Sequence, residues 1–130
     1  NFFPEEKRQQ LLMDLSLNTR AFISQRLLPK QDGKGRAAVI EVMLNSPLIA
    51  DLVLKGELTE IKGVMTKSRN IGMQTFDQAL YDAFEANLIS YDEAIRNADS
   101  ANDLRLHIKL NSQRAKTLDL AAGTEHMSIV

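Results

Sequence analysis

Gly72-Met73-Gln74-Thr75-Phe76-Asp77-Gln78-Ala79-Leu80 reads as a chain break, a small polar cap and the first turns of an amphipathic helix. Phe76, Leu80, Ala83, Phe84 and Leu88 recur at helical spacing, while Gln74, Gln78, Asp82 and Glu85 fall on the opposite side. A helix patterned this way buries one face. The segments before and after it are the nearest candidates to cover that face.

Immediately upstream the signals are also helical. Ser46-Pro47 is a cap followed by a proline at the first helical position, and Gly56 closes that helix. Leu48, Ile49, Leu52 and Val53 make its apolar stripe. A second helix is expected from about Glu57 to Ser68, with Leu58, Ile61 and Met65 inward, before Gly72 interrupts it. Downstream, Ser90-Tyr91-Asp92-Glu93 fits a capping box, in which serine bonds the N–H of Glu93 and the glutamate reaches back. It opens a short helix through Ala98. Ser100 with Asp103 starts another, carrying Leu104, Ile108 and Ala115. From about Thr117 the periodicity fades and Gly123 appears, so a flexible tail is expected to Val130.

The first third differs. Pro4, Glu5 and Glu6 suit a helix start, and Leu11, Leu12 and Leu15 give its stripe up to Asn18. Ala21–Leu28 is rich in strand formers and ends at Pro29. The turn Lys30-Gln31-Asp32-Gly33-Lys34-Gly35 comes next, and then Arg36–Leu44. That second run places Ala38, Ile40, Val42 and Leu44 on one face and Ala37, Val39, Glu41 and Met43 on a partly polar other. Two strands alone are barely stable in water, so this hairpin needs a helix layer or a larger sheet. An exposed edge, or an edge paired with another copy, is the corresponding expectation. The fold class expected is α+β, mostly α. A helix and β-hairpin occupy 1–45, a bundle of short helices 46–116 and a tail 117–130.

Composition narrows the function classes. A chain of 130 residues is one domain with room for a real core. It has no cysteine, which suits a reducing compartment. With 16 basic and 17 acidic residues it has no overall pull towards nucleic acid or anionic lipid. No apolar run approaches the roughly 20 residues of a membrane span. The opening Asn1-Phe2-Phe3-Pro4 has no basic n-region and no initiator methionine, and reads as cut from a longer protein.

The residue types offer little chemistry. Asp32-Gly33-Lys34-Gly35-Arg36 lacks GxxxxGK[ST] spacing and lies between two strands, so it is a hairpin turn. His107 and His126 stand far apart without ligand spacing. No serine sits in a GxSxG context. Asp92 and Glu93 are explained by a helix start. Arg105, Lys109, Arg114 and Lys116 make the last helix basic. A solvated face explains them better than docking to a partner or an anionic membrane. These residues form no active site.

Three blocks in order nevertheless resemble one family, the type IV pilus retraction ATPases of the PilT/PilU kind, among the hexameric secretion-type P-loop ATPases. The first is Ala21-Phe22-Ile23-Ser24-Gln25-Arg26-Leu27-Leu28-Pro29 with Gly35-Arg36-Ala37-Ala38-Val39-Ile40-Glu41-Val42-Met43. The second is Ser46-Pro47-Leu48-Ile49-Ala50-Asp51-Leu52-Val53-Leu54-Lys55-Gly56, where PilT proteins carry AIRNLIRE. The third is Gly72-Met73-Gln74-Thr75-Phe76-Asp77, similar to the family's GMQT-D. The resemblance covers roughly residues 4–99 and is nearer the PilU branch, including Asp103-Leu104-Arg105-Leu106 and Met127-Ser128-Ile129-Val130. Ala50 and Leu54 stand where PilT has the two arginines of its motif, so the role of those arginines does not transfer.

The resemblance implies the C-terminal portion of a PilT-dependent ATPase that powers pilus retraction and twitching motility. The parent would be a hexameric ring using ATP and Mg. It would lie in the cytoplasm, peripheral at the inner membrane, with a PilT-like motor and the pilus machinery as partners. The family's nucleotide loop and its acidic and histidine boxes would lie upstream of Asn1. The hairpin would form the edge of a RecA-like sheet. No catalytic, cofactor or metal residue is assigned here, and the chain alone is expected to be inactive. The family positions are Pro47, Ile49, Ala50, Asp51, Leu52, Leu54 and Lys55, with Gly72, Met73, Gln74, Thr75 and Asp77, expected to serve ring assembly and coupling. The competing reading is a free-standing helical interaction module with no motor role.

Overall fold

The computed structural model describes residues 4–121. It is α+β and mostly helical, with one two-stranded antiparallel hairpin and seven α-helices among the described residues. It divides into two units. One comprises the chain up to Ser24 together with Glu41–Thr75, and the other Gln25–Ile40 together with the chain from Phe76 onward.

In the first unit, α1 (Glu5–Asn18) begins after Pro4 with Glu5 and Glu6 against the positive end of its dipole. Leu12 and Leu15 pack on the core, whereas Leu11 is exposed, contrary to the expected stripe. Asn45 fastens the exit of α1. Its side-chain amide donates to the carbonyls of Ser16 (3.0 Å) and Thr19 (2.6 Å), and its backbone N–H to that of Arg20 (2.9 Å).

The hairpin pairs β1 (Ala21–Pro29) with β2 (Arg36–Leu44), as the alternation and turn residues predict. The turn closes through Lys30 N–H to the Gly35 carbonyl (3.0 Å), and Asp32 accepts from Lys34 N–H (2.8 Å). Gly33 and Gly35 both adopt positive φ there. The buried face of β2 is the partly polar one, bearing Ala37, Val39 and Met43. Its one charge, Glu41, is accommodated by an ion pair with Lys62. On β1, Phe22, Ile23 and Leu27 are exposed and Leu28 is buried. β1 has no strand on its outer side among the described residues.

Two helices complete this unit. α2 (Pro47–Lys55) is capped by Ser46 Oγ, which accepts from Ile49 N–H at 3.2 Å, and Gly56 ends it in the left-handed region. α3 (Leu58–Lys67) comes next, and a single 3-10 turn at Arg69–Ile71 leads to Gly72. Ile49, Leu52, Val53, Ile61, Met65, Met73 and Met43 form the core. Leu48 and Leu58, expected inward, are exposed, Leu58 at 71%. Each sits at the margin of its stripe, where the covering elements stop.

The second unit is built on α4 (Phe76–Glu85), whose Phe76, Ala79, Leu80, Ala83 and Phe84 are buried. Leu88 is exposed because the helix ends before it, and Asn87 takes a positive φ of 61°. α5 (Tyr91–Asn97) starts at Ser90, whose Oγ accepts from Glu93 N–H at 3.1 Å. The Glu93 carboxylate does not complete the reciprocal box; it turns to Arg96 (2.9 Å) and Asn97 (3.3 Å). α6 (Ala101–Asn111) and α7 (Gln113–Ala121) are separate helices, so Ala115 belongs to a helix of its own. Ser112 separates them with an extended backbone, and its buried hydroxyl accepts from Ala115 N–H at 3.0 Å. α7 carries regular structure through Ala121, which shortens the tail expected from Thr117; 122–130 lie outside the described residues. The core gathers Leu80, Phe84, Ile89, Ala94, Leu104, Ile108 and Ala115 with Leu28, Ala37 and Val39. Fully burying one such large side chain contributes about 1.5–3 kcal/mol.

Candidate functional site

The twelve positions that the family resemblance singles out fall on two segments. On α2, Ile49 and Leu52 point into the core, together with Val53. Pro47, Asp51, Leu54 and Lys55 are exposed, and Ala50 is half-buried. Asp51 and Lys55 form an i,i+4 pair at 3.0 Å, and this hydrogen bond holds the Lys55 ammonium above its ordinary pKa. Ala50 and Leu54, one turn apart, lie on the margin of the outer face. Leu48 and Leu54 leave apolar surface on either side of the charged pair. α2 thus has a packed side and an outward side.

In the second segment each residue is fixed from within. Gly72 takes φ 101°, the left-handed region that joins the 3-10 turn to Met73. Met73 is 1% exposed and joins Ile49, Leu52 and Val53 in one apolar cluster. Gln74 makes an isolated antiparallel bridge with Val42: its N–H donates to the Val42 carbonyl at 2.9 Å, and its carbonyl accepts from Val42 N–H at 2.8 Å. The Gln74 side chain accepts from Arg69 at 3.0 Å. Thr75 is buried. The core of the first unit thereby brings Met73 together with Ile49 and Leu52, whereas Asp77 belongs to the second unit.

There Asp77 acts as a double acceptor. Its two carboxylate oxygens take the backbone N–H groups of Asp99 (2.7 Å) and Ser100 (3.0 Å), at the entrance to α6. Next to it, the Arg26 guanidinium lies over the Phe76 ring at 3.9 Å and donates to the Asn97 carbonyl at 2.8 Å. Arg26 also approaches Asp99 at 3.5 Å.

Two residues with structural roles are not evident from the sequence. Glu85, on the polar side of α4, accepts from the Ser112 hydroxyl and from the backbone N–H groups of Gln113 (3.2 Å) and Arg114 (3.4 Å), at the start of α7. Arg114 does not belong to a solvated basic face: it donates to the carbonyls of Phe84 and Ile89, both at 2.7 Å, and to the Gln31 side chain. It also covers the Phe84 ring at 4.2 Å, and partial burial pushes its pKa down. The signal available was its position two residues past the break at Ser112, beside the buried Ala115. Among the described residues no group of three His, Asp or Glu side chains gathers, and no helix is long and apolar enough to cross a membrane.

Comparison with known proteins gives a consistent result. No family model matches the sequence. The chain is 57% identical over 113 residues to the type IV pilus ATPase PilU of Pseudomonas aeruginosa, covering 87% of this chain and 30% of that protein. It is 31% identical over 96 residues to the type IV pilus retraction ATPase PilT of the same organism, covering 74% of this chain and 28% of that protein. A crystal structure of the pilus retraction motor PilT with bound ADP superposes with a TM-score of 0.65 at 28% identity, over 78% of this chain and 28% of that one. The chain therefore spans about 30% of the length of these curated relatives.

Proposed function

Because the chain belongs to the PilT/PilU family of type IV pilus ATPases, we propose that it is the C-terminal part of a PilU-like ATPase acting in pilus retraction and twitching motility. In this reading the parent binds ATP and Mg, forms a hexameric ring with a PilT-like motor as partner, and works at the cytoplasmic face of the inner membrane. The present segment contributes to ring assembly and to coupling nucleotide turnover to the pilus machinery.

The observation that carries the PilU-like reading is the outer face of α2. By the family resemblance, Ala50 and Leu54 stand where PilT has its two motif arginines, on a helix whose inner side packs Ile49, Leu52 and Val53 into the core. The identity of 57% to PilU, against 31% to PilT, supports the same assignment. A chimera tests it. Residues 1–130 replace the matching segment of the Pseudomonas PilU, and the chimera is expected to restore PilU-dependent retraction in a strain lacking that gene. A chimera that is expressed, forms rings and hydrolyses ATP without restoring retraction would overturn the proposal. The chain by itself is expected to release no phosphate from ATP, since a loop that cradles phosphates through successive N–H groups is not in its sequence. Phosphate release that persists through repeated purification and exceeds a protein-free control would refute that expectation.

A further inference from the structure

We propose that α7 is a strap that undocks and melts as one piece while the rest of the second unit stays folded, uncovering the Phe84 ring. Every residue involved belongs to the second unit, and the strap does not depend on the motor reading. Of the α7 side chains from Gln113 to Asp119, only Ala115 is buried, and Leu118 is 39% exposed. Its nine residues fall short of the roughly 12 that a helix needs to persist alone in water, so α7 keeps its form only while docked. What docks it is largely polar and sits at its first turn. Glu85, at the end of α4, accepts from the Ser112 hydroxyl and from the Gln113 and Arg114 N–H groups, which a helix start leaves without intrahelical partners. Arg114 in turn donates to the Phe84 and Ile89 carbonyls and to the Gln31 side chain, with its guanidinium 4.2 Å from the centre of the Phe84 ring.

The dependence runs one way. α4 closes without α7: Asn87 N–H donates to the Phe84 carbonyl and Leu88 N–H to the Ala83 carbonyl, both at 3.0 Å. The hairpin turn keeps its Lys30–Gly35 bond, and Gln31 N–H is held by the Leu88 carbonyl at 2.9 Å. Without Arg114, the end of α4 and the turn therefore retain these backbone bonds. Without Glu85, α7 loses the acceptor for its first turn and, with it, the helix that carries Arg114. Undocking then removes the cation from over Phe84 and leaves the rest of that core in place.

Native-state hydrogen exchange on the full chain, in increasing urea, tests this. The amides of Lys116, Thr117 and Leu118 are expected to share one opening constant, about 100-fold or more above that of Leu80 and Ile108, with a much smaller urea slope. Opening that grows steadily towards Ala121 is simple fraying, and opening that matches Leu80 is global unfolding; either overturns the proposal. Arg114→Gln should speed Lys116, Thr117 and Leu118 by roughly tenfold, and unchanged rates overturn it. Leu104→Ala opens a cavity in the part that stays folded, roughly two helical turns before Ser112. It should speed Leu80 and Ile108 by about 30-fold or more while the three α7 amides move by less than about threefold. An equal response in both groups overturns the proposal. If Leu104→Ala does not fold, thiol labelling decides. The chain has no cysteine, so Ala115→Cys and Ala83→Cys each carry a single buried probe. The thiol at 115 should react about 100-fold faster than that at 83 without denaturant, and equal rates overturn the proposal.

Discussion

α2 and the 72–77 segment both resemble family stretches in sequence but use their residues differently. In the segment, Gly72 supplies a backbone conformation, Met73, Thr75 and Phe76 are buried, Gln74 completes a bridge and Asp77 holds the entrance to α6. In α2, Ile49 and Leu52 join Val53 in the core, while Pro47, Asp51, Leu54 and Lys55 are exposed and Ala50 is half-buried. A motif residue whose side chain is fully engaged inside the fold needs no partner to explain it. A motif residue facing solvent has only weak internal reasons to be what it is. The difference separates positions engaged inside the fold from positions that reach solvent.

Mutations can break or sharpen that contrast. Phe76→Ala should have the largest effect, about 3–5 kcal/mol, through the cavity and the loss of the ring beneath Arg26. Urea unfolding should show it as a lower midpoint at unchanged slope. Gly72→Ala should cost about 1–2 kcal/mol from backbone strain at φ 101°. Space is not the cause, because the added Cβ would meet Leu44 Cδ1 at an ordinary 3.7 Å. Asp77→Ala should cost about 1 kcal/mol, measured in the same way, because two N–H groups lose a charged acceptor. At the other extreme, Ala50→Arg with Leu54→Arg should move stability by no more than about 0.5 kcal/mol, since both positions reach solvent. The same pair should change the amount of PilT-like motor recovered in a quantitative binding assay. A stability loss above about 1 kcal/mol would show that the outer face of α2 serves the fold, and the contrast would fail.

Local punctuation made much of this architecture legible. Ser46-Pro47 and Gly56 bound α2, Gly33 and Gly35 shape the hairpin turn, and Ser90 starts α5. Periodicity located the helices, but not where their cover ends. Leu48 and Leu58 fit apolar stripes and still face solvent. The buried face of β2 was hidden for a related reason: Glu41 makes that face look polar until Lys62, on α3, neutralises it. The break at Ser112 carries neither glycine nor proline. It depends on Glu85, which lies 27 residues earlier and draws both the serine hydroxyl and the new helix's N–H groups. Among the family positions, α2 and Gly72 were readable as helix and break. That Asp77 would hold the α6 entrance was not, because its partners are backbone groups 22 and 23 residues away.

The open side of β1 bears on how the chain behaves as a material. A nine-residue strand with no neighbouring strand on its outer side among the described residues, and with Phe22, Ile23 and Leu27 exposed, is a template for further strands. Arg26 puts a charge on that strand, but it is committed to Phe76 and Asn97. When concentrated as an isolated polypeptide, this chain is expected to meet a solubility ceiling set by β1 rather than by its net charge of −1.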